Sequence, residues 1–338
     1  PVPRPSPLMP VHHSAEALIA PYGPSNPAVS AIELVEAFDP VEIEYASIRR
    51  HAAIFDSPHR ATLIITGTDR VAFLNRMLTQ ELKDFPPFTA RRSFFLNRKG
   101  RIDADLRLLN LPDRIVADLD IFAAERARTE LEKYIITEDA AIADATAHFH
   151  ILSLHGPSAA ALLARLSSPI AGAPIADIAA GAVSLIRIGD IETMVDRIDT
   201  AGEIGLELRV PVAAATAVYE AISTSWSARP ASGAIAPSTD LARRIGWHAL
   251  NIARIEAGTP LYNLDFGPDS LPHECGEAAL HDRVSFRKGC YLGQEIVARM
   301  QSLGHPKQKL VGLRIDSPAP DAAPPQAVTG TPVVEADA

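Results

Sequence analysis

The most informative segment of this chain reads Lys288-Gly-Cys-Tyr-Leu-Gly-Gln-Glu295. It contains Cys290, one of two cysteines, between two glycines that let the backbone turn tightly or approach a ligand closely. Lys288 and Arg287 place positive charge beside the sulfur, and nearby cations favour the reactive thiolate form of an accessible cysteine. The segment therefore predicts a reactive thiol. The alternative is a buried free cysteine in a turn of small residues.

The same segment resembles the signature of the YgfZ family, folate-binding relatives of the glycine-cleavage T-protein that support iron–sulfur proteins. The family pattern is K-G-C-[FY]-x-G-Q-E, and its fixed positions are present as Lys288, Gly289, Cys290, Tyr291, Gly293, Gln294 and Glu295. T-proteins lack this cysteine motif. The resemblance implies a tetrahydrofolate-binding protein that assists the assembly or repair of iron–sulfur enzymes, with Cys290 as its functional thiol.

Length and composition indicate a globular protein of more than one domain. At 338 residues the chain exceeds the size at which a single core stops growing. Its 47% hydrophobic and 22% charged residues are ordinary for a globular protein. The net charge of −9 argues against broad nucleic-acid binding. A local basic cluster is either a solvated hairpin surface or a seat for an anionic ligand tail: Arg91, Arg92, Arg98, Lys99, Arg101 and Arg107.

The cysteine count and the hydropathy pattern predict a cytoplasmic protein without membrane contact. Two cysteines cannot form a disulfide framework, and neither a signal peptide nor an apolar run of membrane-spanning length is found. Four potential ligands lie close in sequence, but their spacing fits no compact zinc pattern, so we predict no metal site: His273, Cys275, His281 and Cys290.

Strand and helix patterns alternate as in an α+β protein. Two hairpins are predicted, at 93–109 and 182–198. Single strands are predicted at 61–66, 115–118, 149–154 and 204–210, and helices at 30–38, 41–53, 70–82, 123–136, 158–166, 212–223 and 237–258. The last helix would bury a stripe formed by Leu241, Ile245, Ala249 and Ile252. No phosphate-binding glycine loop occurs.

The second strand of the first hairpin carries a polar face. Side chains alternate across a strand, so Asp103, Asp105 and Arg107 share one side. They are either a cluster of interacting charges or the solvated face of an amphipathic strand.

Two further motifs resemble the T-protein. Gly202-Glu-Ile-Gly-Leu-Glu207 with Pro211 matches G-E-x-G-x-E-x-x-x-P, in which the second glutamate holds the folate pterin; this position is Glu207. A tyrosine usually stands where this chain has Thr200. The segment 253–262 matches L-R-L-E-A-G-x-P-L-Y, which implies that Arg254 lies near the folate. The alternative for Arg254 is a surface salt bridge.

The resemblance covers about residues 44–315 and implies a multidomain ring around a central folate cleft, with a ferredoxin-like part. We expect a flexible proline-rich lead at 1–29 and a folate-binding region at 30–300. This region would consist of two interleaved subdomains, with the chain returning to the first after about residue 230. Residues 305–338 would hold the start of an incomplete C-terminal β-barrel, with a strand at 310–315, and a proline-rich tail.

The acidic residues help to distinguish a YgfZ-like protein from an aminomethyl-transferring T-protein. T-proteins place an acidic pair after Gly-Gly, and here Ala104 and Asp105 fall on its two positions. The missing first acid argues against aminomethyl transfer, while Asp105 is the candidate for any proton transfer to folate. Asp103 and Asp118 are assigned with Glu207 and Arg254 to cofactor binding.

Two alternative functions remain open. One is a folate-dependent aminomethyltransferase or demethylase, and the other is a tRNA-modification accessory protein. Iron–sulfur enzymes or cluster-assembly proteins are the partners expected for the main interpretation.

Overall fold

The computed structural model describes residues 5–23, 32–224 and 241–313. The helices are α1 (Met9–Ser14), α2 (Val41–Arg50), α3 (Arg70–Met77), α4 (Ile121–Glu132), α5 (Ala159–Leu166), α6 (Ala215–Ile222), α7 (Trp247–Glu256), α8 (Glu277–Arg283) and α9 (Gln294–Leu303). The strands are β1 (Leu18–Tyr22), β2 (Ile32–Ala37), β3 (Ala53–Asp56), β4 (Arg60–Thr66), β5 (Thr89–Leu96), β6 (Ile102–Asn110), β7 (Ile115–Asp120), β8 (Ala141–Asp144), β9 (Phe149–His155), β10 (Ser167–Gly172), β11 (Val183–Ile188), β12 (Ile191–Arg197), β13 (Gly205–Pro211), β14 (Ser223–Thr224) and β15 (Ala242–Arg244). The predicted α+β class is confirmed.

One half of the molecule is an antiparallel five-stranded sheet in the order β5-β6-β7-β4-β8. The predicted hairpin is present as β5 and β6. All residues of β6 are buried. The apolar side chains of β4 to β7 form one core with α3, α4 and residues from the later segment 262–297. The polar face of β6 is therefore covered by protein, and its interpretation as a solvated face is wrong.

The other half is an eight-stranded sheet in the order β10-β11-β12-β13-β9-β3-β15-β14. Leucines at alternate positions of β9 and β13 point to one face and pack with α5 and α6. The residues between them point to the opposite face, where Glu207 pairs with Ser153 and Gly205 pairs with His155 in the strand register. This second face carries much of the candidate site.

The chain returns to the eight-stranded sheet after residue 240. β15 pairs in parallel with β3, and α7 packs against α2 and β2. The carboxylate of Glu44 organises this junction by accepting hydrogen bonds from the backbone N–H groups of Phe38, Asp39 and Gly246, at 2.6 to 2.8 Å. At Gly246 a Cβ atom would lie 2.2 Å from the carbonyl oxygen of Glu36, so the close approach requires glycine.

Residues 5–23 are part of the fold, contrary to the flexible lead expected for residues 1–29. Within residues 5–23, Leu8 and His12 are fully buried. Ser6 Oγ donates to Asp56 Oδ2 at 2.5 Å, and His12 Nε2 lies 2.8 Å from the same oxygen. The Asp56 carboxylate therefore holds the lead against the eight-stranded sheet.

Two predicted helices are wrong in whole or in part. Residues 32–37 form β2, because pairing with β1 outweighs the local helical pattern; Ser30 lies outside the described residues. The predicted helix 237–258 begins only at Trp247, after β15 and the close contact at Gly246. Ile252, expected in the buried stripe, is 42% exposed. Residues 237–240 lie outside the described part.

The expected strand at 310–315 is not found in its described part, since residues 310–313 have no regular secondary structure. The rest of the expected barrel and tail, residues 314–338, lies outside the described chain. Across the described ranges, every helix is too short or too polar to cross a membrane.

Candidate functional site

A polar cleft lies where the two sheets meet. Its cavity volume is about 70 Å³, and side chains of both sheets and of α7 line it. Four predicted site residues come together there although they are far apart in sequence: Asp105, Asp118, Glu207 and Arg254.

A buried ionic network joins the two sheets at this cleft. Asp118 of β7 is ion-paired with Arg60 of β4 and, at 2.6 Å, with Arg209 of β13. Asp196 of β12 contacts Arg209 at 2.8 Å and Arg107 of β6 at 3.1 Å. Burial alone would raise the pKa of Asp118, but Arg60 and Arg209 hold it well below its usual range. Asp118 is therefore ionised and links the two halves of the cleft.

Glu207 presents a carboxylate on the wall formed by the eight-stranded sheet. Ser153 Oγ lies 3.0 and 3.1 Å from its two oxygens, and Ser57 Oγ lies 2.8 Å from Ser153 Oγ. Burial raises the pKa of Glu207, and Arg107 opposes this effect. The carboxylate can accept hydrogen bonds from a ligand that carries N–H donors.

Arg254 is fixed near the end of α7. It is ion-paired with Asp265, its Nε donates to Asn251 Oδ1 at 2.8 Å, and its Nη1 donates to the carbonyl oxygen of Thr259 at 3.3 Å. Its side chain is 5% exposed. Arg254 therefore forms an ion pair, but in the cleft wall, and its interpretation as a surface salt bridge is wrong.

Asp105 is bound by two arginines. Arg283 Nε donates to Oδ1 at 2.9 Å, and Arg92 Nη2 donates to Oδ2 at 3.2 Å. Burial alone would raise the pKa of Asp105, but Arg283 and Arg92 together lower it. An ionised carboxylate held in this way is a poor proton donor.

Asp103 does not line the cleft with the acidic residues Asp105, Asp118 and Glu207. Its Oδ1 accepts hydrogen bonds from Arg126 at 2.6 Å and from Asn97 at 3.1 Å. Among the described residues it is not part of the cleft lining, whereas Asp105 and Arg107 are. The assignment of Asp103 to the same site as Asp105 is therefore not supported by the geometry.

The basic cluster of the first hairpin is dispersed. Arg92 and Arg107 line the cleft, while Arg98 and Lys99 are exposed at the turn. Arg91 donates to the carbonyl oxygens of Glu81 and Asp84. The cluster therefore does not form one patch.

The Cys290 segment lies outside the cleft lining, in so far as the chain is described. Lys288 Nζ donates to the carbonyl oxygens of Asn75, Leu78 and Gln80 at 2.5, 2.6 and 2.9 Å. Lys288 thus caps the C-terminal end of α3. Its ammonium group forms its hydrogen bonds there and not with the sulfur of Cys290. Burial lowers the pKa of Lys288 to about 8.

Gly293 allows the same segment to pass close to the backbone of the first hairpin. Its φ is +79°, and a Cβ atom there would lie 2.6 Å from the carbonyl oxygen of Asn97. Tyr291 is buried under Lys288, and Gln294 and Glu295 begin α9. These motif residues therefore fold the segment against the first hairpin, while Cys290 is exposed.

No metal centre is formed by histidine, cysteine, aspartate or glutamate in the described ranges. Cys275 is buried, and burial raises its pKa to about 12.

The polar residues of β9 belong to no recognisable sequence motif. Ser153 and His155 line the cleft with Glu207, as do Trp247 and His59. The alternation of strand 149–155 places Ser153 and His155 on one face. Their position opposite β13, however, depends on a strand pairing that no motif indicates.

Comparisons with known proteins agree with this architecture. Residues 9–283 match the family model of the GCVT N-terminal domain. A probable aminomethyltransferase of Natronomonas pharaonis is 25% identical over 318 residues, which covers 92% of this chain and 79% of the relative. An aminomethyltransferase of Chlorobium chlorochromatii is 26% identical over 278 residues, which covers 82% and 71%, respectively.

A solved structure shows the same fold. The crystal structure of glycine cleavage system aminomethyltransferase T from Bartonella henselae matches with a TM-score of 0.72 at 23% identity, covering 88% of this chain and 75% of that chain. The predicted T-protein-like fold is confirmed. Since the family model spans most of its length, this chain belongs to the GCVT N-terminal domain family.

Proposed function

We propose that this protein binds tetrahydrofolate in the cleft between the two sheets, with Glu207 and Arg254 as principal ligand-binding residues. Aminomethyltransferases of this family use tetrahydrofolate, which when bound supplies a carrier for one-carbon units. The observation that carries the proposal is the convergence on one cleft of Glu207, Arg254, Asp105 and Asp118.

The polar groups of the cleft lining support this proposal, because they complement those of the ligand's pterin ring. A pterin presents an amide-like edge of N–H donors, and Glu207 offers two carboxylate oxygens held in place by Ser153. Arg254 is fixed by Asp265 and Asn251, so it needs little rearrangement on binding.

Calorimetric titration of tetrahydrofolate tests the proposal. Glu207→Gln should weaken binding at least tenfold, because a hydrogen bond to a charged group contributes about 1.5–3 kcal/mol. Glu203→Gln, outside the cleft lining and ion-paired with Arg49, is the matched control and should bind like the wild type. Equal affinity of all three proteins would overturn the proposal.

For the role of the bound folate, we propose support of iron–sulfur enzymes. The motif 288–295, which T-proteins lack, favours this role. The pairing of Asp105 with Arg283 and Arg92 also favours it, because it opposes proton transfer by that acid.

Cys290→Ser should abolish the restoration of iron–sulfur enzyme activity in a deficient cell. Tetrahydrofolate affinity should not change, since the exposed thiol lies outside the cleft lining. Full restoration by this variant would exclude Cys290 as the functional thiol.

The second candidate is a folate-dependent aminomethyltransferase. The relatives are named aminomethyltransferases, so the comparisons favour this candidate over the iron–sulfur role. A direct assay for methylene-tetrahydrofolate formation, with Asp105→Asn as the inactive control, distinguishes the two. Turnover by the wild type that Asp105→Asn removes would establish this candidate, and no turnover would count against it. The net charge gives a tRNA-modification role no support.

A further inference from the structure

His155 stands at the end of β9, inside the cleft wall. It pairs in the strand register with Gly205 of β13 on one side and with Ala53 of β3 on the other. Its side chain lines the cleft, and the residue is 1% exposed. The residue is thus buried between two neighbouring strands and forms part of the cleft lining.

Neither ring nitrogen of His155 has a hydrogen-bond partner among the residues that the structure describes. Buried polar groups in folded proteins are nearly always hydrogen-bonded, because an unmade hydrogen bond costs free energy. The nearest strand neighbour is a glycine, and a Cβ atom at Gly205 would lie only 3.2 Å from His155 Nδ1. The His155 ring therefore lies in the cleft wall without a hydrogen bond from the described part of the chain.

The charge state of His155 suits recognition of a neutral ring. Burial lowers its pKa to about 4, with Asp199 opposing the shift. The imidazole is therefore neutral at physiological pH, with one nitrogen as donor and the other as acceptor.

His155 and the Glu207 carboxylate lie next to each other on the sheet. Ser153, which hydrogen-bonds to Glu207, is two residues before His155 on the same face of β9, a distance of about 7 Å along the strand. A flat, fused heterocycle whose edge is bound by Glu207 has the dimensions to reach His155.

We propose that His155 is a second recognition residue for the heterocycle held by Glu207, and that its ring nitrogens obtain their hydrogen bonds from the ligand. This inference rests on the proposed folate binding. It assigns to His155 the selection of ligands whose fused ring carries a polar atom on the side facing β9.

Two variants test the assignment by calorimetric titration of tetrahydrofolate and by thermal unfolding. His155→Leu should weaken binding about tenfold, the effect of one buried hydrogen bond. Its Tm should stay equal or rise, because leucine removes an unpaired polar group from a buried position. His155→Gln keeps a donor and an acceptor and should retain more affinity than His155→Leu. His13→Leu, at an exposed position on α1, is the control and should bind like the wild type.

The outcomes separate this inference from the proposed function. If the wild type binds, Glu207→Gln weakens binding and His155→Leu does not, the inference is overturned and folate binding stands. A marked fall in Tm of His155→Leu would assign His155 a structural role and overturn it as well. Absence of wild-type binding would remove both proposals.

A measurement on the unaltered protein completes the test. The ¹⁵N resonances of the His155 ring should shift on addition of tetrahydrofolate, and unchanged resonances at saturation would contradict the assignment.

Discussion

Asp105 shows most clearly how neighbouring charges limit the chemistry of a single residue. Its two carboxylate oxygens accept hydrogen bonds from Arg283 and Arg92, and the residue is buried. In solution an aspartate has a pKa of about 3.9. The paired arginines move this value further from neutrality, so Asp105 is poorly suited to donate a proton.

Removal of Arg283 should raise the pKa of Asp105. Arg283→Met takes away the stronger of the two charge partners and leaves Arg92 in place, so burial is opposed by one cation instead of two. A ¹³C NMR titration of the Asp105 carboxyl group measures the shift. The exposed Arg287, replaced in the same way, is the control and should leave the titration unchanged. An equal titration curve for both variants would show that Arg283 does not set the ionisation of Asp105.

Most of the individual site residues are predicted from a motif or a family match. The resemblance assigns Glu207, Arg254 and Asp105, and the structure brings them to one cleft with Asp118, which no motif carries. Asp103 was placed with them by strand alternation, but Arg126 and Asn97 hold it elsewhere. Their guanidinium and amide groups come from other elements, so no pattern within the strand reveals them.

At the level of elements, Lys288 connects the cysteine segment to α3. A lysine near a helix C-terminus stabilises carbonyl groups that lack partners within the helix. The three carbonyl oxygens bound by Lys288 come from the last turn of α3 and the residues after it. The sequence predicted a role for this lysine at the sulfur, because distant carbonyl partners are not visible in the chain order.

Lys288→Met should therefore lower the free energy of unfolding by about 2 kcal/mol, since it leaves buried carbonyl groups unpaired. Chemical denaturation measures this change. Lys99→Met at the exposed hairpin turn is the control and should stay within about 0.5 kcal/mol of the wild type. If Lys288→Met is as stable as that control, Lys288 does not stabilise the C-terminal end of α3.

The elements that sequence patterns predicted well are those with strong local signals. The hairpins of β5 with β6 and of β11 with β12 have alternating strands around polar turns, and both are present. The segment 30–38 failed because helix and strand patterns are ambiguous in short apolar runs. There, pairing with β1 determines the outcome.

At the scale of the whole molecule, buried charges hold separate parts together. Asp118 joins the two sheets through Arg209, which is itself fully buried, and Asp196 joins them through Arg107. Removing one partner of a buried ion pair leaves an uncompensated charge and usually costs about 3–5 kcal/mol.

Asp196→Asn should lower the free energy of unfolding by about 3 kcal/mol or more, because Arg209 and Arg107 lose a charged partner. It should also weaken tetrahydrofolate binding, since Arg107 lines the cleft. Denaturation and titration on the same samples measure both effects. Asp190→Asn, in the exposed turn before β12, is the control. Wild-type stability of Asp196→Asn would contradict a role for this network in joining the sheets.

Asp56 ties the N-terminal segment to the molecule and should make its stability pH-dependent. Burial alone would raise the pKa of Asp56, but contacts with His150 and His12 hold it well below its usual range. A lowered pKa in the folded state gives stability that is present above the unfolded-state pKa of about 3.9 and is lost as the pH falls below it.

The free energy of unfolding of the wild type should therefore fall more steeply between about pH 4 and pH 2 than that of Asp56→Asn, which has no carboxylate to protonate. Denaturation curves at several pH values provide the comparison. Parallel pH profiles of the two proteins would show that ionisation of Asp56 does not contribute to the free energy of unfolding.

The most direct test of the central claim is a crystal structure of the protein with tetrahydrofolate. We predict that the pterin ring lies between the two sheets with its N–H edge on Glu207, with Arg254 beside the ligand and a ring nitrogen of His155 within hydrogen-bond distance. Folate bound outside this cleft, or no bound folate at saturating concentration, would contradict the account.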